Sequence, residues 1–332
     1  MSNVSRASTE TYLVTGAMGC LGAWTLARLV AAGANVVAFD LSDQRHRVDL
    51  LIDADAQTRI AFETGDLTDA SALQATFDRH GVTRVIHLAA LQIPFCRQNP
   101  ALGARVNVEG TINVFEAARV LGIRSVAYAS SLAVYGPRER YEAGPDGLVS
   151  YDAPFDPRTL YGAYKQANEA TARVYWNDHG IASVALRPYT VYGVGRDQGM
   201  TSVPTVAMLA AAAGRDAHIP FGGKNQFHFT RDVADLFIAA ADSDGDGAVG
   251  YNLGGTPVAT AEVARIVESL RPGVRVTVDA QALPFPDGIM ADPGLEALRM
   301  SPETDLTDGI RLTIEHFERC LAAGTIAAPT GA

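Results

Sequence analysis

The sequence has no apolar stretch long enough to cross a bilayer, and only three cysteines among its 332 residues. Cys20, Cys96 and Cys320 are far apart and odd in number, which indicates reduced thiols in a cytoplasmic protein. The seven histidines show none of the paired spacings of metal ligands, so no metal site is predicted. The opening residues, MSNVSRASTE, lack the apolar core of a secretory signal.

Positive charge is also scarce. The chain has 27 lysines and arginines against 37 acidic residues, a net charge of −10, which argues against nucleic acid or an anionic membrane as a partner. Apolar residues make up 48% and charged residues 19%, as is usual for globular enzymes. The length suits one large α/β domain with a smaller region beside it.

A glycine-rich turn is the most informative segment present. The apolar residues 12–15 lead into Gly16, Gly19 and Gly22, and a helical pattern follows. This pattern is typical of a dinucleotide site, where glycines allow a tight turn, close approach to a pyrophosphate and close helix packing. Asp40 ends the next apolar run and can bind both ribose hydroxyls, so NAD is favoured over NADP. The alternative is an ordinary βα turn, and Arg45 and Arg47 are expected to be solvated.

Strand-like and helical patterns alternate along the first half of the chain. The strand-like runs cover residues 11–15, 34–39, 59–63, 84–88, 123–129 and 181–186. Helical patterns cover residues 21–32, 70–80, 102–121 and 163–178. This alternation predicts an α/β fold with a doubly wound parallel sheet, the Rossmann fold, and a ligand at the carboxyl ends of the strands.

The pattern changes after Pro188, where segments shorten and Gly, Pro and Asp become frequent. Helices are predicted over 203–213, 232–241 and 260–270, with a strand over 274–279. We expect a coenzyme-binding Rossmann domain over 8–188 and a mainly substrate-binding region over 189–321. Some segments of that region should return to the first domain. The small residues of 322–332 are expected to form a frayed tail.

A second constellation consists of Ser131, Tyr161 and Lys165. The tyrosine and lysine are four apart at the start of a helix, so they share a face, and Ser131 follows a strand end. Hydride transfer at an alcohol carbon requires proton transfer at its oxygen. A nearby ammonium and the positive nicotinamide should lower the pKa of Tyr161 enough for this. The alternatives are a surface Tyr–Lys pair, or Tyr164 in place of Tyr161.

These motifs resemble those of the extended short-chain dehydrogenase/reductase family, the NAD-dependent epimerase/dehydratase group. The resemblance covers about residues 10–260 and includes TGxxGxxG at 15–22, SSxxVYG at 130–136 and YxxxK at 161–165. It implies catalysis by Ser131, Tyr161 and Lys165. The resemblance also implies a set of coenzyme-binding residues, which includes the glycine turn and Asp40: Gly16, Met18, Gly19, Cys20, Leu21, Gly22, Asp40, Asp66, Leu67, Leu88, Ala89, Ala90, Asn107, Tyr161, Lys165 and Tyr189.

Departures from the family's patterns narrow the expected reaction. Leu132 and Ala133 stand where sugar dehydratases of the family carry an Asp–Glu pair, and neither can transfer protons. Asn225 takes the place of an arginine that holds the diphosphate in nucleotide-sugar epimerases, and it cannot offer a bidentate cation. Dehydration is therefore set aside, and a UDP-sugar substrate is disfavoured. Lys224 could compensate, but we expect it to be solvated.

Four residues are candidates for substrate contact: Gln92, Ser131, Arg196 and Thr201. Arg196 occupies a position similar to that of the arginine that binds a carboxylate in uronate dehydrogenases of the family. The alternative, which the sequence slightly favours, is an exposed loop arginine. Gln92 could bind hydroxyls or only its own loop. Phe95 is expected to wall the pocket.

The helical patterns at 102–121 and 163–178 have apolar residues on more than one face. In the first helix these residues are Val106, Ile112, Phe115 and Ala118, and in the second they are Ala167, Ala170, Val174 and Trp176. In the family, two such helices form a dimer interface, so a homodimer is expected; intramolecular core is the alternative.

The sequence thus predicts an NAD-dependent oxidoreductase acting on a secondary alcohol or lactol carbon of a small sugar or sugar acid. The alternatives are an epimerase that retains NAD, like the UDP-sugar 4-epimerases, and an NAD-sensing protein without turnover. The complete Ser131–Tyr161–Lys165 set argues against the sensor.

Overall fold

The computed structural model describes residues 10–142, 144, 147–243, 245–298 and 303–329. Its strands are β1 (Thr11–Thr15), β2 (Asn35–Asp40), β3 (Ile60–Thr64), β4 (Arg84–His87), β5 (Ser125–Ala129), β6 (Ala182–Arg187), β7 (Thr190–Tyr192), β8 (Ala217–Ile219), β9 (Lys224–Asn225), β10 (Phe227–Phe229), β11 (Ala248–Asn252), β12 (Val258–Ala259) and β13 (Val276–Val278). Its helices are α1 (Cys20–Ala31), α2 (His46–Asp49), α3 (Ala54–Gln57), α4 (Ala70–His80), α5 (Ile93–Gln98), α6 (Pro100–Ala104), α7 (Gly110–Leu121), α8 (Leu160–His179), α9 (Val203–Ala212), α10 (Thr230–Asp242), α11 (Thr260–Leu270) and α12 (Leu306–Ala323).

A seven-stranded sheet forms the centre, in the order β11-β6-β5-β4-β1-β2-β3, and every pair in it is parallel. In β1, Leu13 is in register with Val37 of β2 and with Val85 of β4. The strand order reverses between β1 and β4, and such a reversal opens a crevice at the carboxyl ends of the strands. The predicted doubly wound Rossmann fold is confirmed.

Helices cover both faces of this sheet. On one face, α1 packs beside α10 over a core that contains Val14, Leu26 and Phe237. On the other face, α4, α7 and α8 cover a core that contains Leu13 and Phe115. Neighbouring residues of β1 thus point into different cores, which is why the strand reads as a continuous apolar run.

The predicted helix over 102–121 is present, but its geometry is not regular throughout. The chain forms α6, then a π-helical turn at Arg105–Glu109, then α7, with right-handed helical backbone angles at both junctions. The cause lies at Asn107, whose side chain binds the backbone of Leu91 and whose carbonyl accepts from Thr111 Oγ1 at 2.7 Å and Asn168 Nδ2 at 2.9 Å. Long-range partners therefore replace regular helix geometry there, which periodicity does not reveal.

Residues after Pro188 contribute both to the central sheet and to a second hydrophobic core. Strand β11 pairs with β6 at the sheet edge, while α9, α11 and α12 surround a separate core containing Met208, Val263 and Phe317. Helix α12 was not predicted, and it includes Ala322 and Ala323 at the start of the expected tail; residues 330–332 lie outside the described part. No helix of the described ranges is long and apolar enough to span a membrane.

Candidate active site

A cavity of about 700 Å³ opens at the carboxyl ends of the central strands. Its lining includes all the predicted coenzyme residues except one: Gly16, Met18, Gly19, Cys20, Leu21, Gly22, Asp40, Asp66, Leu67, Leu88, Ala89, Ala90, Tyr161, Lys165 and Tyr189. The predicted catalytic and substrate residues Ser131, Gln92, Arg196 and Thr201 line the same cavity. One space therefore joins the two constellations, which are far apart in the sequence.

The turn between β1 and α1 has the shape that a dinucleotide pyrophosphate requires. Gly16 has φ +68°, and a Cβ there would lie 2.6 Å from the Ala89 nitrogen. A Cβ on Gly22 would lie 2.7 Å from the Ala17 Cα, so the turn packs without room for side chains. No side chain caps the start of α1 at Gly19, so its first amides and positive dipole end are available to an anion.

Asp40 stands at the tip of β2, where an adenosine ribose would bind. Its carboxylate accepts from the Met18 amide at 2.9 Å and the Ser42 amide at 3.0 Å, which fix its orientation at the cavity edge. The expectation that Arg47 is solvated is wrong. Arg47 is buried and donates to the Met18 carbonyl at 2.8 Å and to Asp197 at 2.7 Å. Arg45 lies 3.5 Å over the Phe62 ring.

Asn107 is the predicted coenzyme residue that does not line the cavity. It is 1% exposed, and its side chain donates to the Leu91 carbonyl at 2.9 Å and accepts from the Leu91 amide at 2.7 Å. The amide group is fully used in holding the segment after β4, which does line the cavity. Asn107 therefore holds the cavity wall in place from behind, and its own side chain is not part of the lining.

The catalytic candidates are brought together by β5 and α8. Ser131 follows β5 and its Oγ accepts from the Ala133 amide at 3.1 Å. Thr159 caps α8 through the Gly162 amide at 3.0 Å, which places Tyr161 in the first turn, hydrogen-bonded to Ser131. Lys165, one turn later, is buried and donates through Nζ to the Ala129 carbonyl at 2.6 Å.

The electrostatics of this trio in the coenzyme-free protein are set mainly by burial. Burial raises the pKa of Tyr161, while the hydrogen bond from Ser131 and the charge of Arg196 act to lower it. Burial also lowers the pKa of Lys165 to about 8, and its ammonium faces a carbonyl with the tyrosine ring 5.6 Å away. The phenol is therefore protonated in the free protein. Tyr164 binds the Pro100 carbonyl instead and does not line the cavity.

A buried ion pair binds Ser130, the residue before Ser131, and was missed by sequence reasoning. Glu169, one turn after Lys165, accepts from Ser130 Oγ at 2.5 Å and from Arg187 Nη2 at 2.6 Å. Both charged side chains are less than 10% exposed. The pair ties α8 to the ends of β5 and β6. The signal was a glutamate on the same helical face as Lys165.

The loop of residues 193–202 and α5 form the substrate side. Arg196 Nη2 donates to Thr201 Oγ1 at 3.2 Å, and its buried Nε has no hydrogen-bond partner among the described residues. Gly199 (φ +97°) packs so closely on Gln92 that a Cβ would overlap the Gln92 amide oxygen and lie 3.3 Å from Arg196 Nη2. Gln92, Arg196 and Thr201 thus converge around one polar spot near Tyr161.

Apolar side chains close the rest of this side. Tyr189 packs edge-on against Phe285 at 6.4 Å between ring centroids, and its hydroxyl donates to the Pro286 carbonyl at 2.8 Å. Phe95 lines the mouth and is 43% exposed. Within the described ranges, the chain after Thr201 adds only Phe285 to the lining. Phe285 was missed, because no local pattern connects a loop so far along the chain with this cavity.

The departures from family patterns have clear places in the structure. Leu132 and Ala133 are buried and line the cavity, so no acid follows Ser131. Asn225 is 1% exposed and donates to Thr260 Oγ1 at 3.0 Å, away from the cavity. Lys224 is exposed. Asn225, which the resemblance sets in the place of an arginine of the nucleotide-sugar epimerases, therefore faces the protein interior.

Comparison with known proteins agrees with this geometry. The model of the NAD dependent epimerase/dehydratase family matches residues 12–254. The chain belongs to this family. It is accordingly an NAD-dependent enzyme of the epimerase/dehydrogenase type, and the glycine turn with Asp40 is where its residues fit the coenzyme.

Its relatives include proteins with two activities. A UDP-glucose 4-epimerase of Mycolicibacterium smegmatis is 31% identical over 320 residues, covering 92% of this chain and 97% of the relative. The solved UDP-glucose 4-epimerase of Thermus thermophilus, in complex with NAD, is 26% identical with a TM-score of 0.78, covering 92% of this chain and 98% of that one. An L-threonine dehydrogenase from Cupriavidus necator has a TM-score of 0.78 at 21% identity, covering 94% and 99%, and shares the fold.

Proposed function

We propose that this enzyme uses NAD to oxidise a secondary alcohol or lactol carbon of a small carboxylated sugar, with Tyr161 as the acid/base. The observation that carries the proposal is the substrate side of the cavity, where the Arg196 guanidinium stands beside Gln92 and Thr201, close enough to lower the pKa of Tyr161. A guanidinium with unused donors selects a carboxylate.

The reaction divides between the coenzyme and three side chains. Bound NAD supplies the hydride acceptor. Ser131 orients the substrate hydroxyl, and the Tyr161 oxygen takes its proton as the hydride leaves the carbon, so that a carbonyl forms. The Lys165 ammonium and the positive nicotinamide favour the phenolate over the buried phenol, and Lys165 is also placed to hold the nicotinamide ribose.

The size of the cavity supports a small substrate. The cavity of about 700 Å³ is lined by the coenzyme residues and the substrate residues together. Tyr189 and Phe285 line it with aromatic surface, and Asn225 is turned inward, which leaves no cationic side chain at that position for a second diphosphate. A sugar acid held at its carboxylate by Arg196 satisfies these limits.

The second candidate is a UDP-sugar 4-epimerase, favoured by 31% identity to the Mycolicibacterium smegmatis epimerase. An epimerase must hold its keto intermediate while the other face turns toward the coenzyme, and this requires an anchor away from the reacting carbon. The inward-facing Asn225 removes one part of that anchor. Net oxidation with release of the product therefore accounts better for this chain.

A substrate panel tests the proposal. Aldoses, uronates and aldonates are incubated with NAD, and NADH absorbance is followed for the wild type and Arg196→Ala. We expect NADH only from carboxylated members, with an increase in KM of about a hundredfold in the variant, as is usual for loss of a charge-paired contact. Equal reaction of neutral sugars would remove the anionic-substrate assignment.

We also propose a homodimer through α7 and α8. Ile112 is 36% exposed and Val174 is 55% exposed, so both are available to contact a second subunit. Phe115 and Ala118 are fully buried in the protein's own core, as the alternative of intramolecular packing predicts. Sedimentation equilibrium should give a dimer for the wild type and a monomer for Val174→Asp. A wild-type monomer would exclude it.

A further inference from the structure

The 193–202 loop, which carries Arg196, is attached to the coenzyme turn by contacts far apart in sequence. The Val194 carbonyl accepts from Trp24 Nε1 at 2.9 Å and is approached by Cys20 Sγ at 3.8 Å. Both donors lie within the first two turns of α1. The start of the loop therefore rests on the helix whose N-terminus faces the pyrophosphate position.

A second attachment runs through Arg47. Its Nε and Nη2 donate to Asp197 Oδ1 at 2.9 and 2.7 Å, and its Nη1 donates to the Met18 carbonyl at 2.8 Å. The Arg47 side chain is 10% exposed, and the backbone of Gly195 packs over its aliphatic part. Three guanidinium nitrogens are thus used to join the glycine turn to the residue beside Arg196.

These contacts form a continuous chain across the cavity. Asp40, at the ribose position, accepts from the Met18 amide, and the Met18 carbonyl accepts from Arg47, which pairs with Asp197. Arg196 directly precedes Asp197 in the chain. The contacts that lead from Asp40 to Asp197 are directional hydrogen bonds. Displacement of the glycine turn should therefore change the position of Arg196.

The negative charge of Asp197 beside Arg196 is unexpected unless Asp197 serves to pair with Arg47. A carboxylate next to an arginine that binds an anion weakens that binding unless another cation neutralises it. Arg47 provides that neutralisation and is then not available to a 2′-phosphate. Simple electrostatics would favour an uncharged residue at position 197.

We propose that Arg47 and Asp197 are a positioning pair that holds Arg196 in place and couples substrate binding to coenzyme binding. The substrate half of this inference depends on the proposed function, but the coupling of the loop to the coenzyme turn does not. Ligands that stabilise one arrangement of a shared element raise each other's affinity, typically by about fivefold or more.

Asp197→Asn tests the substrate half by the sign of its effect. Positioning predicts that KM for the carboxylated substrate rises about tenfold while kcat stays within about twofold. Simple removal of a negative charge predicts that KM falls. Asp235→Asn, which breaks the surface pair of Asp235 with Arg28 on α1, is the matched control and should leave KM unchanged. A fall in KM would overturn the positioning role.

Trp24 fluorescence tests the coupling without any substrate. The chain has two tryptophans, so Trp176→Phe leaves Trp24 as the reporter of the bond to Val194. In coenzyme-free protein, Asp197→Asn and Arg47→Gln should each shift Trp24 emission to the red. Both should also speed NADH dissociation about fivefold, and the double variant should add little.

The two halves fail separately. Unchanged Trp24 emission and unchanged NADH dissociation in both variants would overturn the coupling, whatever the substrate is. If Trp24 emission and NADH dissociation both change, but the wild type shows no preference for carboxylated substrates, the coupling through Arg47 and Asp197 is supported and the anionic-substrate assignment is wrong.

Discussion

The coenzyme side and the substrate side of the cavity differ in whether backbone or side-chain groups form them. The coenzyme side consists mainly of backbone: a glycine turn too tight for side chains, an uncapped helix start and the ends of β1 and β4. The substrate side consists of side chains on loops, with Gln92, Arg196 and Thr201 opposite Tyr189 and Phe285. Only the trio of Ser131, Tyr161 and Lys165 belongs to both.

This difference separates the expected effects of mutation. Backbone groups cannot be removed by substitution, so the backbone part of the coenzyme side is damaged by adding atoms at its glycines. Its side-chain contacts, through Asp40 and Arg47, can still be lost by substitution. The substrate side loses function when a side chain is removed or displaced. Coenzyme affinity and substrate selection should therefore respond mainly to different residues, with the Arg47–Asp197 pair as the exception that acts on both, and Tyr161 should affect rate alone.

The largest effect is expected from Tyr161→Phe, which keeps the ring and removes the proton-transferring oxygen. We expect kcat to fall about a thousandfold, within the range for loss of a general acid/base, with NADH affinity nearly unchanged. Steady-state rates and NADH fluorescence titration measure the two. Tyr164→Phe, in the same helix but outside the cavity, should keep its activity. If Tyr161→Phe were as active as Tyr164→Phe, the assigned acid/base would be wrong.

Lys165 should make stability depend on pH. Its pKa is about 8 in the fold against an ordinary 10.5, so between these values the unfolded chain binds more protons. The free energy of unfolding should therefore rise with pH through this window, by up to about 3 kcal/mol from this group.

Denaturant unfolding of the wild type and Lys165→Met from about pH 7 to 11 isolates the lysine, because Tyr161 and the other groups are common to both. The difference in unfolding free energy, wild type minus variant, should rise with pH and level off above the ordinary lysine pKa of 10.5. A difference independent of pH would mean that the ammonium is well solvated.

Gly22→Ala tests the coenzyme side. The added methyl group would lie 2.7 Å from the Ala17 Cα, so α1 has to move away from the turn. We expect about a hundredfold weaker NADH binding in fluorescence titration, since the helix start and the turn bind the pyrophosphate together. Gly245→Ala, with only Ser243 Oγ at 3.6 Å from the added atom, should bind NADH normally. Normal binding by Gly22→Ala would contradict the tight turn.

Gly199→Ala tests the substrate side, with a smaller effect. Its Cβ would displace the Gln92 amide, and we expect KM for the substrate to rise about tenfold with NADH affinity unchanged. Gly273→Ala controls for backbone strain, because Gly273 has φ +95° against +97° at Gly199 and open space around it. Equal KM changes in both variants would assign the effect to strain.

The same contrast explains how much could be predicted from the sequence. The parallel sheet and the coenzyme turn follow from local patterns, because Gly16, Gly22 and Asp40 lie close together in one βαβ unit. The differences from the prediction have long-range causes. Asn107 lies in a π-helical turn and binds Leu91, Arg47 is buried and pairs with Asp197, and Phe285 reaches the cavity from a distant loop.

Chemistry was harder to predict than position. The spacing of Tyr161 and Lys165 predicts one helical face, and the structure puts both at the cavity. The pKa of Tyr161 was expected to be lowered, but burial raises it, and burial depends on the packing of the whole domain. Substrate contacts at Gln92, Arg196 and Thr201 remain predictions because loop conformation decides them.

Net oxidation of a small carboxylated substrate can be measured directly by following the transferred hydride. A sugar acid that the enzyme accepts is labelled with deuterium at the reacting carbon and incubated with excess NAD. Net oxidation should place deuterium in free reduced coenzyme, in amounts well above that of the enzyme. Deuterium retained in the sugar pool, with UDP-glucose and UDP-galactose interconverted and no reduced coenzyme released, would contradict it.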